Sequence, residues 1–500
     1  MKVTDLPLNI QSTSVSTISF AGLTEARIAA GDRFAALLAL PLGEQIRLLS
    51  VTSCFGGFNV IECDLETAEP TYPSFDAATP MANWYARRIF DLYGLAPSDA
   101  ATLDPLIARR PCQGLHQSPE KTGLTPKFAE SSRPSVIGEG VFKIPLGPVR
   151  SGVFESIEFV VETPGEEILH VEPRPFYKHR GVDAAFFGKS AEDGALIAER
   201  VEGIAGVAHA IAYCQAVEKL ADVEIHMQAE LVRVVHAELE RIANHLESVI
   251  RHCEASAQAV AYARLSIHKE SVMRLRSNIC GHRFSRGVIA PGGVTTPLLL
   301  PPAEVAKKVA EIEKSIDRDM TLLMRTPSFL DRLRGTGVVT PLQARLFGAL
   351  GPLGRGSGLT EDGRISHTYG AYKHLGFLPT ADAQDGDAMS RQMIRIDEIA
   401  NSFHLLRQAL DDLNNMEHPS QNWKVELEVK DGMSLGWAEA PQGEVLYAVA
   451  IEKGRIKSLA QRSASFHNLA LFSTAFPKDI TTDFAFIEAS FGISVAGASS

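Results

Sequence analysis

Three groups of side chains in this 500-residue chain have residue types and spacings that chemistry could use. Glu202, Ala205, Gly206 and His209 follow one another at helical spacing, and the pattern around them predicts a helix beginning near Ala195. A carboxylate and an imidazole two turns apart can relay a proton or hold a metal, although the same pair also occurs as satisfied packing. Glu238, Arg241 and His245 lie at i, i+3 and i+7, so they share one helix face. Asp387, Arg391, Arg395 and Glu398 form a second polar face of the same kind. By residue type alone, both faces read as solvated charge pairs. The run Gly354-Arg355-Gly356-Ser357-Gly358 suggests a phosphate loop. It lacks the Gly-Lys-Ser/Thr ending and a strand–loop–helix frame, so it reads as a glycine-rich turn in a packed loop. No dinucleotide fingerprint is present, and NAD is not expected to bind this chain itself.

The elements that must position these groups fall into stretches of different texture. Residues from about 20 to 105 read as a small α+β unit. Two β-rich runs, 46–53 and 58–65, flank Phe55-Gly56-Gly57 as a hairpin, and an aromatic helical segment covers 84–94. Residues 113–140 are rich in Pro, Ser, Gly, Lys and Glu without a sustained period, and read as a linker. A second hairpin pairs 156–162 with 168–172 across Thr163-Pro164-Gly165. From about 191 to 279 the apolar period becomes helical: Ile197, Val201, Ile204, Ala208 and Ile211 mark one face, and Leu231, Val235, Leu239, Ile242, Leu246 and Val249 another. Helices are predicted at about 303–324 and 387–413, and short strands at 445–451 and 456–459. The fold class is therefore an α+β N-terminal domain (1–110), a linker (111–140) and a large, mainly α-helical domain (141–500) with flanking β hairpins.

Composition excludes several functions. The chain is 45% hydrophobic and 22% charged, as a folded globular protein is. Lys+Arg 49 against Asp+Glu 60 gives a net charge of -11, which argues against nucleic acid as a partner. The first twenty residues lack the charged-then-apolar run of a signal peptide. The longest apolar run, 35–42, falls well short of the roughly 18–20 residues that span a bilayer. Six cysteines (Cys54, Cys63, Cys112, Cys214, Cys253, Cys280) form no C-x-x-C pair, so a soluble chain with reduced thiols is expected.

Ordered landmarks over nearly the whole chain resemble a known family. Residues 84–94, Trp-Tyr-Ala-Arg-Arg-Ile-Phe-Asp-Leu-Tyr-Gly, look like the signature of the small (30 kDa-type) peripheral-arm subunit of complex I, with Ala86 and Arg88 where that signature usually has glutamates. From about Lys143 onward the chain resembles the quinone-site (49 kDa-type) subunit of complex I. It resembles still more the large subunit of membrane-bound [NiFe] hydrogenases of the formate hydrogenlyase type, where the two parts are fused. The landmarks are Gly147-Pro148-Val149, His179-Arg180-Gly181, Glu199-Arg200-Val201, Glu238-x-x-Arg241-x-x-x-His245, Pro291-Gly292-Gly293-Val294, Gly386-Asp387-Ala388 and Glu439-Ala440-Pro441. The resemblance implies that fold and a role in a membrane-bound oxidoreductase.

The departures narrow what it implies. In the hydrogenases four cysteines supply thiolates to nickel and iron, the soft ligands that metal pair needs. Here those positions fall on Glu202, Ala205 and, near the C-terminal end, Ile493 and Ala496, and no cysteine follows Cys280. Gln442 stands where the hydrogenases have an arginine over the metal, and Asp183 where the family often has a glutamate. A nickel–iron centre is therefore not expected. Complex I holds its quinone with a histidine and a tyrosine at positions that fall here on Ser151 and Gly203, which cannot donate in the same way. Two expectations follow. In one, Glu202, His209 and Asp183 handle protons or contact a quinone-like acceptor in the vacated cavity. In the other, the centre is an inert packed remnant and the chain couples an iron–sulfur subunit to a proton-pumping membrane arm. An open polar cavity favours the first, and a sealed Glu202 the second. No cofactor is expected on the chain itself beyond a quinone, with iron–sulfur clusters and NAD on partner subunits. The implied partners are an iron–sulfur small subunit, a membrane anchor and antiporter-like subunits, at the cytoplasmic face of the cell membrane.

Overall fold

The computed structural model describes residues 9–66, 71–100, 103–107, 136–150, 155–380, 383–416 and 422–500. Ser151 and most of the expected linker lie outside the described residues. Strands β1 (Asn9–Ser14), β2 (Arg33–Pro41), β3 (Gln45–Cys54) and β4 (Gly57–Glu66) form a sheet in the order β1-β4-β3-β2. The β3–β4 hairpin turns where the glycines predict it, with Cys54 opposite Gly57. Helix α1 (Thr17–Ala29) packs on β3 and β4. All of β2 but its two end residues is buried, which is why its sequence is one continuous apolar run rather than an alternation. Helix α2 (Met81–Tyr93) packs on β2 and is itself buried almost all round, its Arg87, Arg88 and Asp91 included.

The larger part opens with an antiparallel sheet of β5 (Phe142–Leu146), β6 (Glu158–Thr163) and β7 (His170–Arg174). The hairpin read from the sequence is β6–β7, and β5 adds a third strand. Short helix α3 (Val182–Ala185) leads to α4 (Ala191–Ala198), α5 (Gly206–Ala221), α6 (Met227–Ala255), α7 (Ala259–Cys280) and α8 (Pro302–Leu323). Helix α9 (Gly351–Arg355) takes in the first two residues of the glycine-rich run 354–358, which is packed as a turn and buried except for half-buried Gly358. Helix α10 (Ala388–Asn414) lies along α6 and α8. A second antiparallel sheet, β8 (Gly432–Ala440), β9 (Gly443–Glu452) and β10 (Arg455–Arg462), is followed by α11 (Ala464–Leu469), α12 (Phe484–Phe491) and α13 (Val495–Ala498).

Two expectations need correction. The C-terminal strands do not flank the helical core: every residue of β9 except Glu452 is buried, and α5 lies across β8 and β9. With both faces covered, the strand shows none of the alternation of a half-exposed hairpin. Nor do Glu202 and Ala205 sit on the helix of His209. Helix α4 stops at Ala198 and α5 starts at Gly206, where the chain turns so tightly that a Cβ would come 2.8 Å from the Glu199 carbonyl oxygen. The turn carries Glu202 back toward the first turn of α5.

The N-terminal sheet and the larger part meet through α2 and α11. Trp84 Nε1 donates to the Phe466 carbonyl at 3.1 Å, and the Tyr85 hydroxyl lies 2.9 Å from His467 Nδ1. Helix α11 starts with Ser463, whose hydroxyl accepts from the Phe466 amide at 2.9 Å and donates to the Gly497 carbonyl at 2.8 Å. Replacing this cap, Ser463→Ala, removes both bonds and is expected to destabilise the chain by about 1–2 kcal/mol, read from urea unfolding.

Candidate functional site

Glu202 is completely buried, and both its carboxylate oxygens are bonded. Oε1 lies 3.1 Å from His209 Nε2, and Oε2 accepts from the Ser465 hydroxyl at 2.8 Å. The Ser465 oxygen in turn accepts from the Ser494 amide at 3.1 Å. On the far side of the imidazole, His209 Nδ1 lies 2.7 Å from the Tyr447 hydroxyl. Burial, with the Asp183 and Glu202 carboxylates nearby, holds the Tyr447 phenol well above its ordinary value, so it keeps its proton. Donating that proton to Nδ1 leaves Nε2–H to donate to Glu202, which satisfies the row without a charged imidazole. Gly497 closes the row: a Cβ there would collide with Glu202 Oε2. Elements far apart in sequence thus meet at one carboxylate, from the α4–α5 turn, α5, β9, α11 and the segment around α13.

A second carboxylate stands behind His209. Glu240 of α6 accepts from the Val207 amide at 3.0 Å and the Ala208 amide at 3.2 Å, capping the start of α5, with Arg276 Nη2 at 3.5 Å. Burial raises Glu240 above the usual carboxylate range despite those contacts.

The other residues singled out by sequence are placed differently. Asp183 makes no hydrogen bond to Glu202 or His209; it pairs with Arg88 of α2 at 2.8 Å, and burial outweighs that cation to push it up to about 6. Gly203 is exposed, with nothing packed where a side chain would begin. Ser151 lies outside the described residues. A cavity of about 230 Å³ opens beside the row, lined by residues that include Ile204, Asn244, Ser248, Arg251, Ile493 and Ser494. Glu202 is not among the residues lining it. Glu155 forms part of its wall, its carboxylate accepting from the Ser494 hydroxyl at 2.9 Å and from the Val495 amide.

The residues present do not fit a nickel–iron centre. Glu202, Ala205, Ile493 and Ala496 offer one carboxylate, already fully bonded, and no sulfur. Among the described residues no group of three His, Cys, Asp or Glu side chains could hold a metal ion. Cys214 is held well above its ordinary value by burial, and Cys253 is pushed up to about 12, so neither is a thiolate at neutral pH.

The two polar helix faces expected to be solvated are buried. Glu398 of α10 accepts from Arg355 at 2.6 Å and Arg241 at 3.3 Å, and lies 2.8 Å from His245 Nε2. Glu238 is bonded to Arg364 at 3.2 Å, Ser402 at 2.6 Å and Tyr372 at 2.5 Å. Arg355 also reaches Glu439 at 3.1 Å, and Arg364 reaches Asp362 at 2.7 Å. The cluster sets the guanidiniums of Arg241, Arg355 and Arg364 against the carboxylates of Glu238, Asp362, Glu398 and Glu439. Burial and the neighbouring Asp362 raise Glu439 to about 7. Arg391 and Arg395 bond instead to carbonyls and, for Arg391, Ser490; burial lowers them to about 9 and about 10. Sequence spacing placed Glu238, Arg241 and His245, and Arg391, Arg395 and Glu398, on common faces, but Arg355, Asp362, Arg364, Tyr372 and Glu439 come from short helical turns and a strand elsewhere in the chain, and no local pattern joins them.

Residues 257–435 match the family described as respiratory-chain NADH dehydrogenase, 49 kDa subunit. The membrane-bound hydrogenase subunit alpha of Pyrococcus furiosus is 32% identical over 339 residues, which is 63% of this chain and 76% of that protein. Formate hydrogenlyase subunit 5 of Escherichia coli K12 is 26% identical over 404 residues, 77% of this chain and 69% of its own. An NADH-quinone oxidoreductase subunit of Deinococcus radiodurans is 29% identical over 285 residues, 56% and 70% respectively.

The buried histidine His245 yields a pH signature. Burial lowers it to about 4, below the roughly 6.5 of an exposed imidazole, so the unfolded chain takes up a proton first as pH falls. Its contribution to stability is complete above pH 6.5 and is lost between there and pH 4. His245→Gln removes this titration, so the variant's stability deficit relative to the parent is expected to shrink by about 2 kcal/mol between pH 7.5 and pH 5, measured by urea unfolding at both.

Proposed function

As the chain belongs to the family of the membrane-bound hydrogenase and NADH dehydrogenase 49 kDa-type subunits, we propose that it is a peripheral subunit of a membrane-bound, energy-converting oxidoreductase complex and that it holds no nickel–iron centre. In this reading the chain couples an iron–sulfur small subunit to a membrane anchor and antiporter-like, proton-pumping subunits at the cytoplasmic face of the membrane. Any NAD and iron–sulfur clusters reside on those partners. The observation that carries the reading is the sealed Glu202 carboxylate, with 0% exposure and both oxygens bonded to Ser465 and His209. It stands where the family's metal ligand would stand and closes the centre with hydrogen bonds instead. Asp183, engaged by Arg88, is likewise committed to packing. Among the described residues no helix is long and apolar enough to cross a membrane, which agrees with a peripheral place.

The neighbouring cavity supports a second reading. Its apolar wall, with Ile204 and Ile493, and its polar edge of Asn244, Ser248 and Ser494 would admit a small quinone-like acceptor. Proton handling by Glu202 and His209 would then require the row to open toward that cavity.

The test combines partners, metal and one substitution. The tagged chain purified in mild detergent is expected to bring down an iron–sulfur subunit and antiporter-like membrane subunits, with no nickel bound to this chain by elemental analysis after it is separated from its partners. Recovery of the chain alone, or of a nickel-bearing chain, overturns the proposal. Glu202→Gln is expected to cost about 2 kcal/mol of stability through weakened charged hydrogen bonds, while turnover by the assembled complex stays at the parent level. Parent-like stability with lost turnover would instead establish the proton-handling reading.

A further inference from the structure

We infer that Arg88 is a cross-tie through which the N-terminal sheet holds residues 494–500 against Glu202, so that the site is closed only when both parts of the chain are in place. Arg88 lies on α2, which packs on the N-terminal sheet, yet its hydrogen bonds go to the larger part. It donates to the Gln461 carbonyl of β10 at 2.6 Å, to Asp183 of α3 at 2.8 Å and to the Ser500 main-chain oxygen at 3.4 Å. Its guanidinium also lies 5.0 Å from the centre of the Phe466 ring of α11. A guanidinium can serve these directions at once because its donors are fixed in a planar fork; an ammonium on a flexible stem cannot hold the same set.

The path from Arg88 to the site is continuous. Gln461 Nε2 donates to the Ser500 hydroxyl at 2.5 Å, and that hydroxyl donates to the Gly497 carbonyl at 3.0 Å. Gly497 is the residue pressed against the Glu202 carboxylate. His179 and Arg180 also hold this segment, through the Ser499 carbonyl at 2.9 Å and the Ala496 carbonyl at 3.2 Å. Arg88 is only 4% exposed, and Asp183 is the carboxylate paired with it. A buried cation of this kind requires that counter-charge.

A glutamate at position 88, which the small-subunit signature usually carries, would face Asp183 with like charge. Arg87, one residue earlier, turns back into the N-terminal part, donating to the Asp104 carbonyl at 2.9 Å and the Pro105 carbonyl at 2.8 Å. The cross-tie does not depend on which complex the chain joins.

Hydrogen–deuterium exchange on the full chain tests it. The amides of Ser494, Ala498 and Ser499 are all hydrogen-bonded, so their exchange reports opening of the segment. Arg88→Ala is expected to raise exchange in residues 494–500 at least tenfold while α7 keeps its protection. Arg87→Ala is expected to leave residues 494–500 unchanged. The charge swap Arg88→Asp with Asp183→Arg is expected to exchange more slowly in this segment than Arg88→Asp alone. Parent-like exchange of residues 494–500 in folded Arg88→Ala, or a swap no better protected than Arg88→Asp alone, overturns the proposal. Should Arg88→Ala fail to fold, the nearly isosteric Asp183→Asn decides: a tenfold rise confined to this segment upholds it, and parent-like protection overturns it.

Discussion

A carboxylate taken fully out of water must find a bonding partner for each oxygen, and the region around Glu202 is arranged to meet that demand. One oxygen needs the imidazole of α5, and the other needs a hydroxyl from α11. The imidazole needs a phenol from β9, and the hydroxyl also takes the amide of Ser494. Each requirement draws in an element from a different part of the sequence. The sharp turn between α4 and α5 follows from the same demand, since it brings the carboxylate back onto the first turn of α5.

The same logic on a larger scale accounts for the ionic cluster between α6 and α10. Its members are individually costly to bury, and they are tolerated because nearly every charge faces an opposite one at hydrogen-bonding distance. Glu398 is the centre, shared by Arg241, Arg355 and His245. Burial keeps His245 neutral, so it donates a hydrogen bond without adding a fourth positive charge. Such a cluster adds little net stability over an apolar core but accepts few alternative arrangements, so α6, α9 and α10 are held in one register. That fixed frame carries α5 and β9, and with them His209 and Tyr447.

Sequence reasoning recovers what is local. The β3–β4 turn follows from its glycines, and the spans of α8 and α10 lie within a residue of those read from the sequence. It fails where tertiary packing reverses a local rule. Glu238, Arg241 and His245 have the spacing of a solvated face, and nothing within seven residues reveals that Arg364 and Glu398 wait across the interface. The helical spacing of Glu202 and His209 is likewise correct in outcome and wrong in cause: the two side chains meet, but across a helix break. Tyr447 and Ser465, which complete the row, lie more than two hundred residues away and carry no motif of their own. Resemblance to the family drew attention to Glu202, whereas only the fold revealed the hydrogen bonds that surround its carboxylate.

The burial of α2 ties these observations together. A helix that carries Arg87, Arg88 and Asp91 would ordinarily turn them to water, yet all three are buried: Arg88 bonds to the larger part, whereas Arg87 and Asp91 are bonded to the backbone of residues 104–107. Its own sheet supplies only part of what this helix needs: Tyr85 reaches the Ala35 carbonyl of β2 as well as His467, but Trp84 and Arg88 find their partners on α11, β10 and α3. Without the larger part Trp84 and Arg88 would lose these protein acceptors, and without α2 Asp183 would lose the cation it pairs with. Each part supplies the other's missing hydrogen bonds. Carriage on one chain keeps these complementary groups at high effective concentration, which favours the closure over Glu202.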